Sequence, residues 1–109
     1  MSIFMDGVEY VKKDLDSNYV IVRSSSSGVH AGYLVRSDGS QVVLKNARRI
    51  WYWEGAASLS QLAMEGTTMP ETCKFPCEVD SIMINDVSEI INCTGAAKKS
   101  IKGVPVWNA

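Results

Sequence analysis

The stretch VHAGYLVRSDGSQVVLKNARRIWYW, Val29 to Trp53, decides how this chain folds. Both halves are rich in β-branched and aromatic residues, which fit a pleated surface. Between them stands Asp38-Gly39, a pair that tolerates the positive φ of a tight hairpin turn. The pattern predicts two antiparallel strands, the second running as one long element from Gln41 to Trp53. Just upstream, NYVIVRS (Asn18 to Ser24) reads as a further strand, delivered to the hairpin by the flexible connection SSSSG. Three successive strands make an antiparallel meander.

Beyond Gly55 the periodicity changes. Ser58 stands where an N-cap belongs, Leu59, Leu62 and Ala63 fall at helical spacing, and Gly66 supplies a stop. TTMPETCKFPCE must be a loop, because each of its two prolines removes a backbone donor and restricts the residue before it. In VDSIMINDVSEIINC the β-branched Ile82, Ile84, Val87, Ile90 and Ile91 predict two short strands or one bent one. Thr94 caps a second helix over GAAKKSIKG. VPVW then leaves as an extended tail, since Pro105 forbids more helix. The expected class is α+β: an antiparallel sheet with two short helices packed to one side or end. It forms a single small domain over 1–109, with 1–17 a peripheral N-terminal extension.

Charge narrows the range of partners. Eleven Lys and Arg stand against 12 Asp and Glu, a formal net charge of -1, so there is no broad positive field to hold a long polyanion. A small anion needs only a few local donors and remains open. The N-terminal MSIFMDGVEYVKKDLDSN has no apolar run of the length a signal peptide or membrane span requires, which predicts a cytoplasmic protein with no membrane partner. Cys73, Cys77 and Cys93 are odd in number and read as free thiols. With His30 they could be assembled into a zinc set, but the paired short spacings of such sites are missing, so neither metal nor cofactor is expected.

No catalytic constellation stands out. His30 sits mid-strand without a nucleophile in a recognisable context. The glycines form neither a Walker loop nor a dinucleotide fingerprint, and no carboxylate spacing marks an acid/base pair, so the chain reads as a binder, not an enzyme. Period-two alternation through ARRIWYW puts Arg49, Trp51 and Trp53 on one face and Arg48, Ile50 and Tyr52 on the other. The two arginines therefore point opposite ways unless a bulge intervenes. Two readings stand side by side. The arginines and aromatics form a site for phosphate and base, or the aromatics are core and the arginine stems a solvated rim. Phe75, on the proline-bounded CKFPCE loop, either stacks on a base or pins the loop to the core. KKSIKG is either a solvated helix end or a phosphate clamp.

The runs VLKNARRIWYWEGAASLSQLA, CKFP and SIKGVPVW resemble the phage-encoded Thoeris anti-defence sponge family of the first-described type, over Val20 to Trp107. The resemblance implies a non-enzymatic protein of the host bacterial cytoplasm. It would capture the glycocyclic ADP-ribose signal made by TIR-domain proteins and hold it intact, and some members also hold cyclic di- or trinucleotides of CBASS-type immunity. It implies a homo-oligomer, a dimer or a higher assembly up to a hexamer, with no nucleic-acid polymer as partner. Carried onto this chain, Phe75 would stack on adenine, and Arg48 or Arg49 would meet the pyrophosphate together with Lys102. Asn92, or Asn85 in a similar strand context, would hydrogen-bond a ribose or base edge. Lysine at 102 offers a point charge in place of a fork. Such a ligand has one purine face and one pyrophosphate, which an aromatic and a few cations suffice to hold. The alternatives are an enzyme that degrades the same signal and a phage protein that binds a host protein through exposed aromatics.

Overall fold

The computed structural model describes residues 18–108, so the expected N-terminal extension over 1–17 lies outside the described residues. Five strands and two helices follow in the order β1 (Tyr19–Ser24), β2 (Gly28–Asp38), β3 (Gln41–Arg49), α1 (Leu59–Glu65), β4 (Val79–Ile84), β5 (Val87–Asn92) and α2 (Gly95–Lys102), with a short 3-10 turn at Pro70–Thr72. The sheet is antiparallel throughout, in the order β4-β3-β2-β1-β5. This is the predicted α+β arrangement, with the second isoleucine-rich stretch resolved as two strands.

Local chemistry sets the element ends. Asp38 pairs with Gln41, and Gly39 takes φ 63° in the two-residue connection between them. The Ser58 side chain accepts from the Gln61 N–H at 3.1 Å, and Thr94 accepts from Ala97 N–H at 3.0 Å, so each helix has the cap its sequence called for. Gly66 ends α1 at φ 78°, pressed against Ser100 of α2. The helices are further joined where the Thr94 N–H donates to Ala63 and its hydroxyl to the Met64 carbonyl.

The sheet separates two apolar clusters. Cross-strand partners share a face, so Tyr19 with Tyr33, Ile21 with Ala31 and Ile91, and Arg48 all look toward the helices. There Tyr19, Ile21 and Ala31 pack with Leu62, Ala63, Phe75, Ala97 and Ile101. On the other face Val20, Val22, Val42, Leu44, Ala47 and Ile84 form the second cluster. Gly32 is needed here, because a Cβ on it would lie 2.8 Å from that of Ala47.

This second face is concave. The strands at the two edges, β4 and β5, are joined by Asn85 and Asp86 alone, which requires the sheet to curl until its edges meet at that end. Hydrogen bonds hold the closure. Ser25 N–H donates to the Asp86 carbonyl, Val87 N–H to Ser40, and the Gln41 amide to Asn85 Oδ1 at 2.9 Å.

The third strand departs from expectation by ending at Arg49 instead of Trp53. Ile50 still donates to Val29. The next two N–H groups instead turn to the Lys74 carbonyl, and Lys74 donates back to Tyr52 at 2.8 Å. Ile50, 3% exposed, drops into the helix-side core while Trp51 is carried outward. A bulge does occur, at Asn46 with φ 49°, but it precedes both arginines and leaves them on opposite faces.

Candidate ligand-binding cleft

The two arginines have different fates. Arg48 pairs with Ala31 and points under α2, where it is 5% exposed. Its guanidinium donates to four carbonyls: Phe75 at 2.8 Å, Val104 at 2.9 Å, Ile101 at 3.1 Å and Pro76 at 3.2 Å. Burial lowers its pKa from the ordinary arginine value. Arg48 is thus a structural clamp joining β3, the proline loop and the chain after α2.

Phe75 is fully buried in the helix-side cluster, with the Arg48 guanidinium 5.4 Å from its ring centre. With no exposed surface it presents no face to a base. The stacking role drawn from the resemblance therefore gives way to the other reading, a ring that pins the loop. The backbone around the ring is bonded in place, since Lys74 pairs with Tyr52 and the Phe75 carbonyl accepts from Trp107 N–H.

Lys102 lies at the end of α2, with Nζ 3.5 Å from Glu78 and 5.1 Å from the Tyr33 ring centre. Asn92 ends β5 on the far side of the sheet, opposite Val20, with β1 and β2 standing between it and Arg49 on β3. Asn85 is spent on the edge closure, where its side chain accepts from Gln41 and its carbonyl from the Ser24 hydroxyl at 2.6 Å. The structure brings Arg48, Phe75 and the end of α2 together, and leaves Arg49 and Asn92 apart from them.

Arg49 is exposed and lines a cleft of about 550 Å³. Trp51, Trp53, Ile50 and Pro76 form its sides, and Ser27, Gly28 and Val29 close it. One guanidinium nitrogen donates to the Ser27 carbonyl at 2.7 Å, which fixes the fork while leaving further N–H groups for a ligand. Trp53 is held by a bond from its indole N–H to the Ala56 carbonyl at 3.3 Å. The alternation read from ARRIWYW, with Arg49, Trp51 and Trp53 together, matches the residues of this cleft even though the strand ends at Arg49, before the tryptophans. His30, the cross-strand partner of Arg49, is buried, and its Nε2 shares the same Ser27 carbonyl at 3.0 Å. Burial first, and Arg49 second, push the His30 pKa below its ordinary value.

Beside the cleft lies an aromatic patch. Trp51 is 61% exposed and its ring centre lies 5.8 Å from that of Trp107, while Lys74 Nζ sits 5.6 Å from the Tyr52 ring centre and 5.7 Å from that of Trp107. The Tyr52 hydroxyl donates to Glu54 at 2.6 Å; this bond raises the tyrosine pKa and lowers that of the carboxylate.

Residues 17–101 match the model of a family described as a domain of unknown function, DUF6948. The chain belongs to that family. No curated protein and no solved structure matches it. The DUF6948 region takes in every strand and almost all of α2, and with them Arg49, Trp51, Trp53 and Pro76, while Trp107 falls beyond it. Among the described residues no three His, Cys, Asp or Glu side chains gather to hold a metal, and no helix is long and apolar enough to cross a membrane.

The cleft residues that sequence reasoning passed over are Ser27, Gly28, Val29 and Pro76. They contribute backbone and surface shape, which carry no residue-type signal. SSSSG reads as a flexible connection, yet Ser24 orders it by accepting from the Ser26 and Ser27 N–H groups, both at 3.2 Å.

Proposed function

We propose that this protein is a non-catalytic trap for a small cyclic nucleotide of the ADP-ribose type, held at the Arg49 cleft and released intact. The observation that carries this reading is the cleft itself, where one anchored arginine fork and two tryptophans line a space of ligand size. A guanidinium meets a pyrophosphate with two parallel charge-assisted bonds, and an indole face accepts a purine. The resemblance carried by KNARRIWYWEGAASL supports the same chemistry, with the pyrophosphate role resting on Arg49 and the stacking role moving from Phe75 to the tryptophans. As a stoichiometric trap, such a protein would act through abundance together with slow dissociation.

The test is capture and release. Purified protein is titrated with cyclic ADP-ribose and its glycosidically bridged isomers by calorimetry, the complex is washed and heat-denatured, and the ligand is identified by mass. Intact ligand in stoichiometric yield supports a trap. Cleaved ligand would establish the degrading enzyme instead, and no binding of any isomer would sink the reading.

A second reading concerns self-association. Trp51, Tyr52, Val106 and Trp107 are each more than a third exposed and lie next to one another through ring contacts and the tail, an apolar surface suited to a partner. We assign it to a homo-oligomer, at least a dimer. Light scattering of the parent and of Trp107→Ser at micromolar concentration checks this, and a monomeric parent refutes it.

A further inference from the structure

Two donors converge on the Ser27 carbonyl. Arg49 Nη1 approaches at 2.7 Å from the cleft side, and His30 Nε2 at 3.0 Å from the buried side. The two residues are direct cross-strand partners on β2 and β3, and Ser27 stands at the mouth of the β1–β2 turn that closes the cleft. A carbonyl accepts, so His30 presents an Nε2–H to it, and burial and the Arg49 charge favour the neutral ring. Arg49 and Pro76 separate the cleft from a smaller cavity of about 160 Å³, and His30 lines that cavity together with Arg48 and Cys77.

We propose that His30 is the positioning residue of the Arg49 cleft: it fixes the carbonyl that orients the guanidinium, and its proton is coupled to the capture of an anion there. The inference rests on the reading of that cleft as an anion site. Its electrostatics follow from the neighbours. Arg49 faces His30 from β3, Arg48 and Cys77 share its small cavity, and β1 and β4 offer only Val22, Val79 and Ile82 on that side. Arg48 turns its guanidinium to the other face, so among the described residues the charge that acts on His30 is one cation, Arg49. An added proton is opposed by burial and by Arg49, and an anion bound to Arg49 removes the second of these. Anion binding therefore draws a proton onto His30, and affinity rises as pH falls. The free protein moves the other way. A histidine held below its ordinary value in the fold binds its proton more readily when unfolded, so stability is lost as pH falls through the unfolded histidine range.

The experiment uses cyclic ADP-ribose as probe and the parent, His30→Gln, His30→Phe and Arg49→Gln. Affinity is measured from about pH 8 to about pH 5.5, the range in which histidine titrates, and imidazole nitrogen NMR follows His30 with and without ligand. Glutamine keeps an N–H for the Ser27 carbonyl but cannot titrate, so His30→Gln should bind like the parent at the alkaline end and fail to gain affinity at the acid end. His30→Phe, which fills the space without a donor, should lose roughly two- to tenfold throughout, the worth of one hydrogen bond. The difference between parent and His30→Gln removes any titration of the ligand itself. Without ligand, Arg49→Gln should raise the His30 midpoint. Parent that binds with a His30 midpoint unmoved by ligand, or His30→Gln that keeps the full pH dependence, would overturn the coupling while leaving the cleft reading intact. Parent that binds no cyclic ADP-ribose overturns both, and binding that survives Arg49→Gln unchanged moves the anion site elsewhere and the coupling with it.

Discussion

Replacing Arg48 with methionine should unfold this protein far more readily than any change at Arg49, although the two residues are adjacent and alike. Methionine keeps much of the apolar stem but removes every donor. Of the four carbonyls that Arg48 serves, Phe75 keeps the Trp107 N–H and Ile101 keeps the Val104 N–H, whereas Pro76 and Val104 have Arg48 as their partner among the described residues. One buried acceptor, on Val104, and one part-buried acceptor, on Pro76, are thus left without a donor. At about 1 to 3 kcal/mol each, the loss comes to roughly 2 to 6 kcal/mol. That is a large part of the ~5 to 15 kcal/mol that a small domain possesses. It corresponds to a melting temperature lower by roughly 10 to 25 °C, at about 4 °C or more per kcal/mol. Arg48→Lys should fall between, because an ammonium reaches fewer of these carbonyls. Arg49→Gln, on the exposed side, should change stability by about 0.5 kcal/mol or less while weakening ligand by roughly 1.5 to 3 kcal/mol. Urea and thermal unfolding of the three variants, with calorimetric binding beside them, decide the matter. Arg48→Met that melts with the parent but no longer binds would refute the reasoning and exchange the roles of the two arginines.

Phe75→Ala should cost about 3 to 5 kcal/mol of stability, and Phe75→Leu should recover most of it, because the ring fills core and offers no face to ligand; a stable Phe75→Leu that has lost binding would restore the stacking role. Gly66→Ala places a methyl against Ser100 at a backbone angle of φ 78°, so it should destabilise by more than about 1 kcal/mol, whereas Gly39→Ala, with open space around it, should cost about 1 kcal/mol for its φ alone; equal melting points for the two variants would contradict this. Under a thiol reagent in native buffer, exposed Cys77 should react first. Cys93, whose thiol burial pushes up to about 12, should react only on unfolding, as mass spectrometry of the labelled peptides will record.

The parts of the fold that follow from neighbours in sequence are legible in it: the hairpin, whose turn falls one residue later than Asp38-Gly39, at Gly39 and Ser40, the caps at Ser58 and Thr94, and the stop at Gly66. What was not legible depends on contacts between distant segments. Nothing within ARRIWYW says that the strand must yield at Ile50, because the competing acceptor, the Lys74 carbonyl, belongs to a loop more than 20 residues on. Likewise Phe75 stands between a lysine and a proline, a context that suggests exposure, and it is the helix-side core, with the Arg48 donors and the tail, that encloses the ring. The cleft was half legible: alternation grouped Arg49 with Trp51 and Trp53, but its other wall is Ser27, Gly28 and Val29, brought there by the β1–β2 turn.

The Asn85–Asp86 connection also bears on how the chain reaches its final shape. Strand β5 must find β1, and the Ser24 hydroxyl meets the Asn85 carbonyl across 61 positions of sequence, a search that a free chain makes slowly. The first four strands can assemble stepwise, each beside its predecessor. Once β4 has docked on β3, β5 hangs from it by two residues and is delivered to the vacant edge of β1 at a high effective concentration. The long-range pairing is thereby converted into the last move of a local sequence. Lengthening this connection with glycines should slow folding more than it hastens unfolding, the kinetic mark of a tether that does its work before the native state is complete.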